Sequence, residues 1–272
     1  MKRLILTADD FGAEPQVNEA VEIAHRNGLL RSASLMVAAP AAEDAAERAR
    51  HMPKLAVGLH VVLVNGRPTL PPGCVPDLVD DDGRFLHDLG AAGVRFFFRP
   101  RARRQLADEI TAQFDAFTRT GLRLDHVDAQ NHMHVHPTVF ALIVKIGRRY
   151  GMRAIRIPRE PRGGTRSVAP WLALMRARAR RAGILCNDYV FGVNDAGAMT
   201  EPRVLEMLEA LPEGVTEMVF HPATRPLESP DRGAEGFRWQ EELAALTSDR
   251  VRDAISAQGI ALTTYGELAG SG

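Results

Sequence analysis

Only two of the 272 residues are cysteine, Cys74 and Cys186, which leaves no thiolate set for a zinc site and no disulfide framework. A reducing cytoplasm is the compartment this composition predicts. No apolar run approaches the roughly 18 residues that a membrane helix needs. Leu4 to Leu6, between Lys2-Arg3 and Asp9-Asp10, is too short for the apolar core of a signal peptide. Charge of one sign is not in excess either: 34 Lys+Arg balance 34 Asp+Glu, which argues against nucleic acid as the main partner. Several motifs are absent as well. There is no G-x-S-x-G elbow, no G-x-x-x-x-G-K-[ST] loop, no G-x-G-x-x-G after a strand and no H-E-x-x-H. Serine hydrolase, nucleotide hydrolase, dehydrogenase and zincin all lose support.

What the chain does contain is a rhythm. A helix-like stretch, a glycine and a short apolar run recur at Gly28, Gly121, Gly151, Gly183 and Gly259. Each glycine falls where a helix ends and the left-handed conformation is needed, and the repeat is that of an α/β fold with a parallel sheet. Amphipathic helices are predicted from Pro15 to Asn27, with Val17, Val21 and Ala24 on one face, and from Arg103 to Thr120, with Leu106, Ile110, Phe114 and Phe117. Strands are predicted over 3–8, 32–37, 55–64, 122–127, 154–157, 188–191, 216–220 and 261–263. Seven or eight mainly parallel strands in this length predict a distorted (β/α) barrel, with an open doubly wound sheet as the alternative. Residues 1–265 read as one catalytic domain and 266–272 as a tail. The proline-rich stretch 65–100, with its acidic run Asp80 to Asp82, reads as an insertion over the barrel mouth.

Titratable residues fall at the ends of these strands. Asp9 and Asp10 end the first, His60 lies in the third, Asp128 to His136 follow the fourth, and His221 follows Val219-Phe220. Parallel strands open on one face, so residues distant in sequence would converge there. Adjacent strand residues face opposite sides, so Asp9 and Asp10 can serve one site only if the backbone turns, for which Phe11-Gly12 is the expected place. Otherwise one of the pair would cap the helix that starts near Pro15. His60 sits in an apolar strand, as a core histidine or as a ligand, and Gly58 could let another group come close. Were the segment after Asp128 to stay extended, Asp128, Gln130, His132, His134 and His136 would share one face. Imidazole and carboxylate together suit a divalent metal.

Thr7 to Gly12 (TADDFG), Gly58 to His60 (GLH), the Asp128 to His134 segment and His221 to Ala223 (HPA) resemble the YdjC-like carbohydrate deacetylase family in order and spacing. The closest likeness is to its hopanoid-biosynthesis-associated branch, through Ser32 to Pro40 (SASLMVAAP), Val94 to Arg104 (VRFFFRPRARR) and Ile155 to Pro161 (IRIPREP). The resemblance implies a distorted (β/α) barrel that removes an acetyl group from an N-acetylated amino sugar, in this branch one linked to a hopanoid lipid. It also implies one divalent metal ion, magnesium or zinc. Asp9 resembles the general base, Asp10 and His60 resemble metal ligands, and His221 resembles the group that protonates the leaving amine.

At the family's third ligand, a histidine, this chain has Gln130. Its carbonyl oxygen suits magnesium or manganese better than zinc, and His132 from a shifted loop is the other candidate. Arg156 and His134 are the candidate sugar contacts. Soluble chitooligosaccharides as substrate, a phosphoesterase with the same ligands, and a sugar- or lipid-binding protein without catalysis are the competing readings. Phe96-Phe97-Phe98, followed by Arg99, Arg101, Arg103 and Arg104, suits contact with an anionic bilayer, or else a buried aromatic strand running into a basic helix. A homodimer and a peripheral position at the inner membrane complete these expectations.

Overall fold

The computed structural model describes residues 1–161, 168–228 and 234–270. Its strands are β1 Lys2–Phe11, β2 Ser32–Leu35, β3 Ala56–Val61, β4 Leu124–Ala129, β5 Tyr189–Phe191, β6 Gly214–Phe220 and β7 Ala261–Leu262. Between them run the helices α1 Pro15–Asn27, α2 Ala42–Arg50, α3 Leu89–Phe98, α4 Pro100–Arg119 and α5 Pro137–Gly147. In the second half follow α6 Ala169–Arg181, α7 Glu201–Glu209, α8 Trp239–Thr247, α9 Asp249–Ala257 and α10 Tyr265–Gly270.

All strand pairings are parallel. The order across the sheet is β4-β3-β2-β1-β6-β5, with β7 also paired to β1. The result is a curled, incomplete barrel flanked by helices, as the helix–glycine–strand rhythm predicts. The strand expected over 154–157 is reduced to single bridges, Val127 to Ile155 and Ala154 to Leu185, which continue the sheet beyond β4. β1 lies at the centre, and Leu4 to Ala8 are buried without a break, as a strand covered on both faces requires.

The predicted helix faces are the ones that pack. Val17, Val21 and Ala24 of α1 and Leu106, Ile110, Phe114 and Phe117 of α4 all lie in the core. Gly121, Gly151, Gly183 and Gly259 take left-handed φ values. Gly28 does not; a Cβ there would stand 2.4 Å from the Leu246 carbonyl oxygen, so its lack of a side chain serves close packing against α8. In the 65–100 segment, Phe96 falls on the buried side of a helix, not in a strand. Of the residues expected as a tail, 266–270 lie in α10, whose Tyr265 is fully buried, and 271–272 lie outside the described residues. No described helix is long and apolar enough to cross a membrane.

Candidate active site

β1 delivers its two carboxylates to different surroundings because the backbone turns at Asp10 itself, one residue before the expected Phe11-Gly12. Asp10 has φ of 61°, and the pairing of β1 with β2 slips between Ala8 and Phe11. Asp9 therefore points inward and is 2% exposed, while the Asp10 side chain keeps 28% exposure. Neither caps α1; Glu14 holds the cap position before Pro15 and makes no side-chain cap hydrogen bond.

Asp9 is held by a buried cation. The Arg156 guanidinium donates to both of its oxygens, Nη1 to Oδ2 at 2.7 Å and Nη2 to Oδ1 at 2.8 Å. The same guanidinium donates to Glu217 through Nε and Nη2, both at 2.9 Å, and lies in ionic contact with Asp128 Oδ2 at 2.8 Å. Glu217 is in turn fixed by the hydroxyls of Thr7 and Tyr265, at 2.7 and 2.8 Å. Burial favours the neutral form of Asp9, but Arg156 outweighs it and holds the carboxyl below its usual range. Burial likewise disfavours charge on Asp128, which Arg156 and His60 nonetheless hold well below the ordinary value. Arg156 was expected to touch sugar hydroxyls. A fully buried side chain whose donors face three carboxylates is instead a clamp on the site's acids.

His60 stands between the two carboxylate environments. Its Nδ1 is 2.9 Å from Asp128 Oδ1 and 3.0 Å from Ser34 Oγ, and that hydroxyl also donates to Asp9 at 3.1 Å. Its Nε2 is 3.4 Å from Asp10 Oδ1. Burial opposes a positive ring, yet Asp128 outweighs it and raises the pKa to about 9. The surroundings thus favour positive charge at this point. Ligand atoms of Asp9, His60 and Asp128 lie within 4.8 Å of one another, close enough to share a metal ion. Gly58 does admit a neighbour, the buried ring of His126, which bonds Asp125 at 3.0 Å and stacks on Tyr265.

Beyond Ala129 the histidine-rich segment does not stay extended. Gln130 to Val135 coil into a tight turn with Asn131 and His132 in left-handed conformations, so the alternation of faces ends there. Gln130 is buried and lines the same cleft as Asp10. Burial, then the Arg156 cation, push His132 down to about 4. Burial, then His132, push His134 to about 3, and neither ring nitrogen of His134 has a hydrogen-bond partner among the described residues. Both rings are neutral near pH 7. His134 is fully buried, which removes it from direct contact with a sugar. His221, at the end of β6, is half-buried; its backbone donates to Glu242 and its ring meets Phe237 edge-on at 5.2 Å.

Phe237 also lines a cleft of about 400 Å³ with Asp10, Gln130, Trp239, Arg67 and Arg84. A wider depression of about 1230 Å³ opens at the opposite strand ends, beside Leu55 and Arg123, and holds none of the clamped acids. Sequence reasoning missed Ser34, Glu217 and Tyr265. The one available signal was a polar or charged residue inside an otherwise apolar strand, as in Val215-Thr216-Glu217-Met218-Val219.

The model of the YdjC-like protein family matches residues 3–257. The chain belongs to this family. Among curated relatives, this YdjC-like chain is 33% identical over 268 residues to a carbohydrate deacetylase of Geobacillus stearothermophilus, with 97% of each chain covered. It is 30% identical over 273 residues to a carbohydrate deacetylase of Brevibacillus brevis, covering 98% of this chain and 99% of the relative. Among solved structures, one from Enterococcus faecalis described as a putative cellobiose-phosphate cleavage protein superposes with a TM-score of 0.78. The two are 28% identical, with 98% of each covered.

Proposed function

We propose that this YdjC-like chain is a metal-dependent carbohydrate deacetylase that hydrolyses the acetamide of an N-acetylated amino sugar. The observation behind this reading is the 3.4 Å approach of Asp10 Oδ1 to His60 Nε2 at the cleft, beside an Asp9 that Arg156 keeps ionised. Near-complete alignment with carbohydrate deacetylases supports it. Asp9 and Asp128 already share the Arg156 cation, and an ion lodged between them would meet that charge. Asp10 and His60 Nε2 make no ion pair or hydrogen bond with it among the described residues and are the ligand pair, with Gln130 or His132 completing the set. Asp128 supports His60 from behind, in the carboxylate–histidine arrangement that aims the opposite nitrogen at a metal. Oxygen donors from Asp10 and Gln130 suit magnesium, and a shift to His132 would suit zinc.

When bound, the cation supplies polarisation of the acetyl carbonyl and a lowered pKa for water. The chain's own residues do the rest. Asp9, ionised and fixed in aim by Arg156 and Ser34, accepts the proton of the attacking water. His221 gives a proton to the departing nitrogen. Phe237 and Trp239 offer flat faces to the sugar ring, and the neutral rings of His132 and His134 keep further positive charge away from Arg156. A hopanoid-linked N-acetylglucosaminyl group is the finer substrate reading, supported by the three sequence stretches that resemble that branch. Incubating metal-loaded protein with N-acetylglucosamine oligomers and with a lipid-linked N-acetylglucosaminyl substrate tests the proposal. Acetate release that Asp9→Asn abolishes is the expected result; bound metal without acetate from either substrate class would favour a binding protein and overturn it.

A further inference from the structure

Seven large apolar side chains are substantially exposed among the described residues; five of them sit on two helices and a sixth directly precedes one. These are Leu89, Val94, Phe97 and Phe98 of α3, and Leu174 of α6 with Val168 just before it, at 40 to 71% exposure. Both helices border one short stretch of chain. The Trp171 indole donates to the Val135 carbonyl at 2.7 Å, and the Phe97 ring lies 6.1 Å from that of His136. This stretch directly follows the turn that bears Gln130, His132 and His134. Both helices therefore pack against the chain that leads out of that turn.

Its charge is one-sided in a chain that is neutral as a whole. Residues 89–107 hold Arg95, Arg99, Arg101, Arg103 and Arg104 and no acid, and residues 168–187 hold Arg176, Arg178, Arg180 and Arg181 and no acid. Acids from outside answer three of them, Asp77 pairing with Arg101 and Asp188 with both Arg176 and Arg180. Arg99, Arg103, Arg104 and Arg178 have no carboxylate partner among the described residues. A guanidinium lies over an exposed or half-exposed ring of each helix, Arg103 of α4 over Phe97 and Arg178 over Trp171, both at 5.6 Å. We propose that this α3–α6 face docks on an anionic lipid bilayer, with its apolar side chains in the interface and its arginines among the headgroup phosphates. A second copy of the chain would bring the same arginines against one another. Nucleic acid offers phosphate but no apolar phase for Leu89, Val94 and Leu174.

Co-sedimentation of the full chain with sucrose-loaded vesicles tests the docking without any activity readout, so its outcome is separate from that of the deacetylase reading. Protein should pellet with vesicles containing phosphatidylglycerol, less so as salt rises, and hardly with phosphatidylcholine alone. The double change Phe97→Ser/Phe98→Ser should weaken binding at least tenfold while unfolding by circular dichroism stays unchanged. A second variant, Arg99→Glu/Arg104→Glu, should do the same. Failure of the wild type to pellet with anionic vesicles overturns the proposal, as does equal pelleting of wild type and both variants. So does a dimer in size exclusion that the phenylalanine change dissolves.

Discussion

Asp9 and Asp10 show how far environment can separate two identical neighbours. One left-handed residue turns Asp9 into a buried, arginine-clamped acceptor and leaves Asp10 at the cleft. Removing the charge of Asp9 as Asn keeps the shape but not the proton acceptor. Acetate release by Asp9→Asn should therefore fall by roughly 100-fold or more, with metal content by elemental analysis unchanged, since the proposed ligands remain. Gln130 predicts the opposite kind of effect. Gln130→His adds an imidazole where an amide oxygen is a weak zinc donor, so competition against a chelator should show zinc held about tenfold tighter. Neither the turn at Asp10 nor the clamp is visible in TADDFG, because the partner of Asp9 is 147 residues away. The motif made the residues visible, and the register of the sheet gave them separate tasks.

At the level of elements, the site is a joint between strands. Asp9 on β1, Asp128 on β4 and Glu217 on β6 converge on Arg156, which lies in the bridged segment beyond β4. Arg156→Met would leave three buried carboxylates without their cation, and chemical denaturation should show a loss of about 3–5 kcal/mol. Arg156→Lys should recover only part of this, since an ammonium cannot fork to several carboxylates at once. β3 offers a second test. A Cβ on Gly58 would stand 2.5 Å from the His126 ring, which Asp125 and Tyr265 hold in place. Gly58→Ala should therefore destabilise the fold by about 1–3 kcal/mol. The existence of these strands and their parallel sheet were legible from the helix–glycine–strand repeat. The 154–157 strand was overdrawn because an apolar run signals burial whether or not its neighbours complete a ladder, and α3 escaped notice because three phenylalanines in a row have no helical period of their own.

For the whole molecule, the clamped acids outnumber the cations around them, and a divalent ion at Asp10 and His60 would offset that excess. Metal removal with a chelator should thus lower the thermal midpoint as well as the activity, and added divalent ion should restore both. Differential scanning calorimetry with and without magnesium or zinc measures the first effect directly. The incomplete closure of the barrel also divides the surface. One end presents the cleft with its aromatic walls, Asp10 and Gln130, and the other presents a wide depression that holds neither of those two.

The amino-acid order alone settled whatever has a short period or a fixed spacing: the α/β alternation, the buried faces of α1 and α4, the neutral charge, and the motifs shared with the YdjC-like family. Those signals arise from neighbours within a few turns of chain, where side-chain pattern and backbone geometry are coupled. The tertiary structure decided which polar residues are enclosed, that Arg156 is fully buried and clamps three acids, and that Phe96 packs inward while Phe97 and Phe98 face out. Burial and ion pairing depend on parallel strands joined through distant crossovers, and a linear pattern holds no record of which distant carboxylate will meet which cation.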